Sequence, residues 1–165
     1  ANILKLSHGL FLRTAKDLSG EYPEIICNDL IADNFQMQLV THPEKFDCIL
    51  APNFLGDLGS DLCAAMVGGL GFAPGANIGN NCMVFEAVHG TAPDIAGKGI
   101  ANPTSMILSA ALMLDHLNEN VAANKIREAV NDVLRAGMSV TLDVNPTSGV
   151  STVKYTEAII AQLHK

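Results

Sequence analysis

Two aspartates, Asp57 and Asp61, stand four residues apart in the segment from Asn53 to Gly69. If this segment is helical, the spacing places both carboxylates on one face, where like charges repel by about 0.2–0.5 kcal/mol. A divalent cation such as Mg²⁺, which takes one or two protein carboxylates and completes its octahedron with water and substrate oxygens, would relieve that repulsion. An aspartate near a helix start is also a common cap or partner of the helix dipole. The spacing alone leaves both roles open.

Two loops could contact a ligand. The segment from Glu86 to Gly97 mixes small residues with one histidine, His89, and one aspartate, Asp94, which is typical of a site rather than of a core. A lone histidine is more often a satisfied loop residue, so His89 indicates nothing by itself. The glycine-dense segment 67–79 could approach a ligand closely with its backbone. Its glycine spacing is not the dinucleotide fingerprint, and no compact βαβ unit surrounds it.

Composition narrows the classes of function. The 165 residues are 48% apolar and 16% charged, which indicates a globular chain of one domain or parts of two. No run approaches the roughly 18 apolar residues of a membrane span, so we expect no membrane as partner. The formal charge of −7, without a Lys/Arg cluster, argues against nucleic acid. The expected partners are small molecules and other protein chains.

The cysteines and the first residues carry two further expectations. Cys27, Cys48, Cys63 and Cys82 form no C-x-x-C pair and have no histidine at zinc spacing, so we predict buried free thiols of a reducing compartment. The chain opens at Ala1 without an initiator methionine or a targeting pattern, which suggests the interior of a longer protein.

Periodicity predicts the elements that would position these residues. Helices are predicted over residues 2–18, from Asp33 or Asn34 as a cap to His42, from Asp57 onward, and over 105–117, 121–135 and 155–163. The helix 105–117 is apolar on nearly every side and is predicted to be buried all round. Strands are predicted at 24–28, 46–52, 83–85 and 140–142, with 67–79 as a loop. The one plausible domain boundary lies near residues 68–79.

Six motifs occur in order along nearly the whole chain: Ala1-Asn-Ile-Leu-Lys-Leu-Ser-His-Gly-Leu-Phe11, Ile31-Ala-Asp-Asn34, Asn53-Phe-Leu-Gly-Asp57-x-x-x-Asp61, Gly68-Gly-Leu-Gly71, Gly75-Ala-Asn-Ile-Gly79 and Phe85-Glu-x-x-His-Gly-Thr-Ala-Pro-Asp-Ile-Ala-Gly-Lys98. With them the sequence resembles the β-decarboxylating dehydrogenases, the family of isocitrate, homoisocitrate and 3-isopropylmalate dehydrogenases. It looks most like the NAD-dependent isocitrate dehydrogenases, which oxidise and decarboxylate isocitrate to 2-oxoglutarate in the tricarboxylic acid cycle.

The resemblance implies a metal site of three aspartates, Asp33, Asp57 and Asp61. Asp33 would belong to the site of the neighbouring subunit. The metal, Mg²⁺ or Mn²⁺, would chelate the substrate's hydroxyl and adjacent carboxylate as a Lewis acid and template. Without the resemblance, Asp33 would be interpreted as a simple helix cap.

The resemblance also implies an NAD site. The residues that embrace the adenosine half of the cofactor are His89, Gly90, Thr91, Ala92, Pro93, Asp94 and Ile95, and Asn102 hydrogen-bonds the adenine. A carboxylate at Asp94 can accept hydrogen bonds from both ribose hydroxyls, whereas a 2′-phosphate there would meet like charge. NADP-using members tend to carry Lys and Tyr at the positions of Asp94 and Ile95, so NAD is expected. Glu86 is expected to help shape the same loop.

The architecture that the resemblance implies is α/β, the two-domain isocitrate/isopropylmalate dehydrogenase-like fold, here its C-terminal half with a mixed sheet flanked by helices. Residues 1–68 would belong to the smaller, dimer-forming domain with the metal aspartates, and residues 69–165 to the larger domain with the NAD loop. We expect a homodimer or higher oligomer with a shared active site, in the cytoplasm or, in a eukaryote, the mitochondrial matrix. The catalytic lysine is expected just before Ala1, so the 165 residues alone should be inactive.

Two alternatives remain open at this point. Homoisocitrate dehydrogenase is the nearest rival, because it shares these loops. Gly75–Gly79 and His89-Gly-Thr-Ala92 favour isocitrate, and 3-isopropylmalate dehydrogenases usually differ in both segments. A non-catalytic regulatory subunit of a hetero-oligomeric enzyme belongs to another class. Such subunits tend to replace the acidic pair with amides, whereas Asp57, Asp61 and Asp94 are all acidic here.

Overall fold

Six α-helices and two β-strands occur in residues 1–164, the part of the chain that the computed structural model describes. The elements are α1 Ser7–Ser19, α2 Ala32–Thr41, α3 Asn53–Met66, β1 Pro74–Ile78, β2 Met83–Ala87, α4 Thr104–His116, α5 Asn120–Ala136 and α6 Thr152–Leu163, with single 3-10 turns at Pro43–Lys45 and Pro93–Ile95. None of these helices is both long and apolar enough to cross a membrane. The chain divides into two compact units, Ala1–Met66 and the residues from Val67 onward.

The first unit is helical, and a glycine sets its closest packing. α2 lies against α3, and the edge of the Phe35 ring lies 3.2 Å from the position that a Cβ on Gly59 would occupy. Phe35 also packs edge to face against Phe46, with ring centroids 5.5 Å apart. Because Gly59 carries no side chain, α2 can approach this face of α3 closely.

The second unit stacks three helices against a hairpin. β1 and β2 pair in antiparallel register from Pro74 opposite Ala87 to Ile78 opposite Met83. α4 covers the hairpin, α5 packs on α4, and α6 packs on α5. The core cluster consists of Ala129, Val130, Val133, Val140, Tyr155 and Ile159. Arg127 of α5 hydrogen-bonds Asp115 of α4 and lowers the pKa of that carboxyl below its ordinary value.

Helix positions agree well with the periodicity, with two corrections. α3 carries both Asp57 and Asp61 as predicted, and α5 ends at Ala136, followed by Gly137 in the left-handed conformation with φ of 66°. The prediction that Asp33 or Asn34 caps α2 is wrong, because the cap position is Ile31 and its carbonyl accepts from the Phe35 amide at 2.8 Å. α4 is not buried all round, since Met106 is exposed while Ser105 and Ser109 are buried.

Strand predictions were much less accurate. Segments 24–28, 46–52 and 140–142 are not strands, and within residues 1–164 the β1–β2 ladder is the one that forms. A strand requires a partner for its backbone hydrogen bonds, and local apolar residues do not supply one. Ile26, for example, is 87% exposed. Conversely, residues 74–78, predicted as a loop, form β1, because a Cβ on Gly75 would lie 3.0 Å from the Glu86 carbonyl and glycine therefore permits this close pairing.

The cysteines are free, as predicted, but they are not buried. Cys27, Cys48 and Cys82 are exposed and Cys63 is half-buried. The error has the same origin as the strand error, since Cys27 and Cys48 lie in the two apolar segments that were expected to be buried strands. Apolar sequence neighbours favour burial only where a packing partner faces them.

Adjacent isoleucines of α6 test the core. Ile159 is 2% exposed and Ile160 is 47% exposed. Ile159→Ala should lower the free energy of unfolding by about 2–4 kcal/mol, since it removes buried methyl groups and leaves a cavity. The matched variant Ile160→Ala should change it by about 0.5 kcal/mol or less. Urea denaturation of the complete polypeptide, followed by circular dichroism, compares the two, and equal losses would contradict this core.

Candidate functional site

The acidic pair lies on the exposed face of α3. Gly59 falls midway between Asp57 and Asp61 and faces Phe35 of α2. At about 100° per residue, both aspartates point roughly 200° away from Gly59, toward solvent. Both are exposed, and neither takes part in an ion pair within residues 1–164. The packing of α2 on one face of α3 therefore leaves the two carboxylates together on the other.

Asp33 does not join that pair. It lies in the first turn of α2, where its carboxylate accepts from the Asn34 amide at 2.7 Å. No group of three or more His, Cys, Asp or Glu side chains is placed to hold a metal in the described residues. The geometry explains this, because α2 contacts the face of α3 opposite to the pair. Two exposed carboxylates on one helix face are hard oxygen donors, which fit Mg²⁺ or Mn²⁺ with other ligands drawn from water and substrate.

The loop after β2 has a specific backbone shape. Ala92 is left-handed, with φ of 42° and ψ of 62°, and the Ile95 amide donates to the Ala92 carbonyl at 3.0 Å to close the turn Pro93–Ile95. A left-handed non-glycine residue costs about 1 kcal/mol or more, and such strain clusters at ligand sites. Asp94 is exposed on this turn, and its carboxylate takes part in no ion pair in the part of the chain described.

The histidine of this loop has an assignable tautomer. His89 Nδ1 lies 2.9 Å from the Gly90 carbonyl oxygen, which can only accept, so Nδ1 carries the hydrogen and donates it. In the neutral imidazole, Nε2 is then an acceptor. His89 is exposed, so this acceptor is accessible to a ligand's hydroxyl or amine.

Two serines of α4 hold the hairpin that leads into this loop. The Ser105 hydroxyl donates to the Ala73 carbonyl at 2.5 Å and accepts from the Val88 amide at 3.3 Å. The Ser109 hydroxyl shares its one hydrogen between the Glu86 carbonyl at 2.7 Å and the Ser105 carbonyl at 2.8 Å, and it accepts from the Gly75 amide at 3.3 Å. We call these two residues the serine clamp. It binds both strands of the hairpin to α4, including the residues that immediately precede His89.

Asn102 is held at both ends of its side chain. Its Oδ1 accepts from the Thr104 amide at 3.0 Å and from the Thr104 hydroxyl at 2.6 Å, and its Nδ2 donates to Asp143 at 2.9 Å. The Thr104 hydroxyl also lies 2.8 Å from the hydroxyl of Tyr155 on α6. Burial raises the pKa of Tyr155 and so does the nearby charge of Asp143, against a lowering from the Thr104 hydrogen bond. Tyr155 is therefore neutral at physiological pH.

A glycine fixes the turn that carries Asp143. A Cβ on Gly149 would lie 2.5 Å from the Leu142 amide nitrogen, so the two chain segments can lie this close because residue 149 is glycine. The Val150 amide donates to the Val140 carbonyl at 2.7 Å across the same contact. Asn145 closes the turn, with Oδ1 accepting from the Thr147 amide at 3.3 Å.

The sequence patterns did not predict the serine clamp or the partners of Asn102, although two signals could have found them. Asn-Pro-Thr occurs twice, at 102–104 and 145–147, and in both copies the asparagine Oδ1 accepts from the threonine amide and hydroxyl. Polar residues spaced four apart in an apolar helix, as in the serine clamp, indicate that one side of the helix meets backbone rather than side chains.

Comparison with known proteins gives consistent results. The family model described as isocitrate/isopropylmalate dehydrogenase matches residues 1–159. The chain is 52% identical over 163 residues to the isocitrate/homoisocitrate dehydrogenase of Thermus thermophilus, covering 99% of this chain and 48% of that protein. It is 46% identical to a mitochondrial NAD isocitrate dehydrogenase subunit of Schizosaccharomyces pombe, covering 99% and 43%. It is also 46% identical to a protein of Dictyostelium discoideum named as a regulatory subunit of mitochondrial NAD isocitrate dehydrogenase, covering 99% and 46%.

A solved structure agrees in fold. The chain matches the crystal structure of isocitrate dehydrogenase from Methylococcus capsulatus with a TM-score of 0.95 and 48% identity, covering 100% of this chain and 49% of that one. The chain spans about half the length of the curated relatives it matches. It belongs to the isocitrate/isopropylmalate dehydrogenase family and has the α/β fold of that family.

The serine clamp makes a testable contribution to stability. Ser105→Ala should lower the free energy of unfolding by about 1–3 kcal/mol, since the Ala73 carbonyl and the Val88 amide lose their partner at a fully buried hydroxyl. Ser148→Ala, at an exposed serine of the same unit, is the control and should be nearly neutral. Chemical denaturation measures both, and a neutral Ser105→Ala variant would contradict the clamp.

Proposed function

We propose that this chain, as a member of the isocitrate/isopropylmalate dehydrogenase family, is part of an NAD-dependent isocitrate dehydrogenase that oxidises and decarboxylates isocitrate to 2-oxoglutarate. The observation that carries the proposal is the exposed acidic pair Asp57 and Asp61 on one face of α3, with no positive partner in the described residues. Two uncompensated like charges four residues apart are unfavourable unless a cation joins them.

Asp57 and Asp61 would hold the metal, and Asp33 would contribute to the site of a neighbouring subunit. A divalent cation bound there would supply Lewis-acid polarisation of the substrate's hydroxyl and carboxylate and would offset negative charge during decarboxylation. The two aspartates hold and orient this group. Phe35 of α2 packs against Gly59 on the opposite face of α3. This contact supports the helix that carries the two aspartates.

The NAD site is formed by His89, Gly90, Thr91, Ala92, Pro93, Asp94, Ile95 and Asn102. The exposed carboxylate of Asp94 accepts from the adenosine ribose hydroxyls and repels a 2′-phosphate. In a solvent-accessible position each such repulsion is worth on the order of 1 kcal/mol or more, or about fivefold in affinity. The accessible Nε2 of His89 offers a further acceptor on the same loop.

Two alternatives to a catalytic isocitrate dehydrogenase are another substrate and a regulatory role. The Thermus relative's name includes both isocitrate and homoisocitrate, and homoisocitrate is therefore the nearest rival. Gly75–Gly79 and His89-Gly-Thr-Ala92 favour isocitrate over 3-isopropylmalate. A regulatory subunit is the rival of another class, in view of the Dictyostelium relative's name. Retention of acids at residues 57, 61 and 94 favours the catalytic assignment.

Assembly and location follow the same proposal. An active site to which Asp33 of a second subunit contributes requires at least a dimer, and we propose a homodimer or a higher oligomer. We propose the cytoplasm as the compartment, or the mitochondrial matrix if the source is eukaryotic, since the Schizosaccharomyces and Dictyostelium relatives are named as mitochondrial.

Removing one charge of the acidic pair tests catalysis. In the complete polypeptide, Asp57→Asn should lower the Mg²⁺-dependent rate of isocitrate oxidation by about a hundredfold or more, since several kcal/mol of charge stabilisation depends on the metal. Asp132→Asn on the exposed face of α5 is the matched control and should leave the rate unchanged. Initial rates against Mg²⁺ concentration, with circular dichroism to check folding, give the result. An unchanged rate for Asp57→Asn would favour the regulatory role.

Changing the loop tests the cofactor. Asp94→Lys combined with Ile95→Tyr should shift the ratio of kcat/KM for NAD over NADP at least about tenfold toward NADP, because repulsion of the 2′-phosphate becomes attraction. Asp94→Asn, which removes the charge and keeps the shape, should give a smaller shift in the same direction. Identical ratios in all three proteins would refute the assignment of this loop.

A further inference from the structure

We propose that Tyr155, Thr104 and Asp143 are positioning residues that hold Asn102 in the orientation required for the adenosine end of NAD. The inference rests on the proposed function, because it assumes that Asn102 lies in the cofactor site. None of these three residues lies in the loop His89–Ile95, and two of them, Thr104 and Tyr155, are completely buried.

Hydrogen-bond chemistry gives the chain of contacts one direction. A threonine hydroxyl has a single hydrogen, and that of Thr104 points to Asn102 Oδ1 at 2.6 Å. The Tyr155 hydroxyl, 2.8 Å from the same oxygen of Thr104, must then be the donor in their contact. The hydroxyl chain therefore runs from Tyr155 through Thr104 to Asn102, and each donor has one acceptor.

The other end of the carboxamide is held by a charge. Asn102 Nδ2 donates to an Asp143 carboxylate oxygen at 2.9 Å, and hydrogen bonds to ionised acceptors are the stronger kind. A flipped amide would turn its NH₂ group toward the Thr104 donors and its oxygen toward the carboxylate, so one orientation is strongly favoured. This leaves one Nδ2 hydrogen and the backbone of residue 102 to face a ligand.

α6 also forms hydrogen bonds with the residues that precede Asn102. The Thr152 amide donates to the Gly99 carbonyl at 2.9 Å, and the Thr152 hydroxyl donates to the Ala101 carbonyl at 2.5 Å. Thr152 and Tyr155 lie three residues apart on one face of α6 and contact successive parts of the segment 99–104. The first turn of α6, whose cap is Ser151, thus acts as a rigid base for Asn102.

The experiment measures equilibrium binding rather than turnover. Isothermal titration calorimetry on the complete polypeptide would give the Kd of NAD and of ADP-ribose, which keeps the adenosine end and lacks the nicotinamide. Tyr155→Phe should raise both Kd values about three- to tenfold, the value of one hydrogen bond. Thr104→Val, which breaks the chain at its centre, should raise them about tenfold or more, and Thr104→Ser, which keeps the hydroxyl, should restore affinity to near that of the natural protein.

Matched controls separate positioning from stability. Thr156→Val removes a hydroxyl from the same helix that donates only to the Thr152 carbonyl, and it should leave both Kd values unchanged. Affinity of the Mg²⁺–isocitrate complex should be the same in every variant. A purely structural role would lower melting temperatures without altering Kd at a temperature where each variant is folded.

The outcomes distinguish the inference from the function on which it rests. If the natural protein binds neither NAD nor ADP-ribose, the proposed function fails and the inference fails with it. If the natural protein binds both, and folded Tyr155→Phe and Thr104→Val bind within about twofold of it, the inference alone is overturned. Should Thr104→Val not fold, Tyr155→Phe and Asp143→Asn decide by the same criterion.

Discussion

The second unit depends on the hydrogen bonds between the hydroxyls of α4 and the backbone of the hairpin. A two-stranded hairpin is marginal by itself, because one face lacks a packing partner and each strand has an unpaired edge. α4 packs on both strands of this hairpin. The buried Ser105 bonds the backbone of Ala73 and Val88 at the ends of the strands, and the buried Ser109 bonds that of Gly75 and Glu86 within them. The end of β2 leads directly into the loop at His89, and Asn102 stands just before α4. α4 thus contributes to the position of both parts of the expected adenosine site.

The acidic pair and Asn102 are held in place by different interactions. The acidic pair is exposed, and its geometry follows from what lies behind it, where Gly59 lets α2 support α3. Asn102 is instead fixed by a polar network whose two hydroxyls, on Thr104 and Tyr155, are buried and each have a defined role. Polar networks of this kind are rigid when fully satisfied and costly when one member is lost. The exposed acidic pair suits a hydrated cation. The fixed carboxamide of Asn102 suits recognition of a ligand by its shape.

The sequence was informative about helices and family and poor about strands and buried polar groups, for physical reasons. The helices α3, α5 and α6 satisfy their backbone hydrogen bonds locally, so their periodicity predicts them, whereas segments 24–28 and 46–52 would need a partner that apolar residues do not specify. The motif order predicted the family, which the comparisons confirm. The roles of Asp33, Asp57, Asp61 and the NAD loop stay predictions. The hydropathy pattern does not identify Ser105, because it treats a serine in an apolar helix as a spacer.

The proline after Asn102 has a consequence for how this protein ages. Spontaneous deamidation of asparagine proceeds when the next residue's backbone nitrogen attacks the side-chain carboxamide, and a proline nitrogen carries no hydrogen and cannot readily do so. Conversion of Asn102 to aspartate would set a second carboxylate against Asp143, 2.9 Å from the present amide nitrogen, and would break the network at its centre. Pro103, and Pro146 after Asn145, therefore give both structural asparagines chemical durability as well as a preset backbone angle.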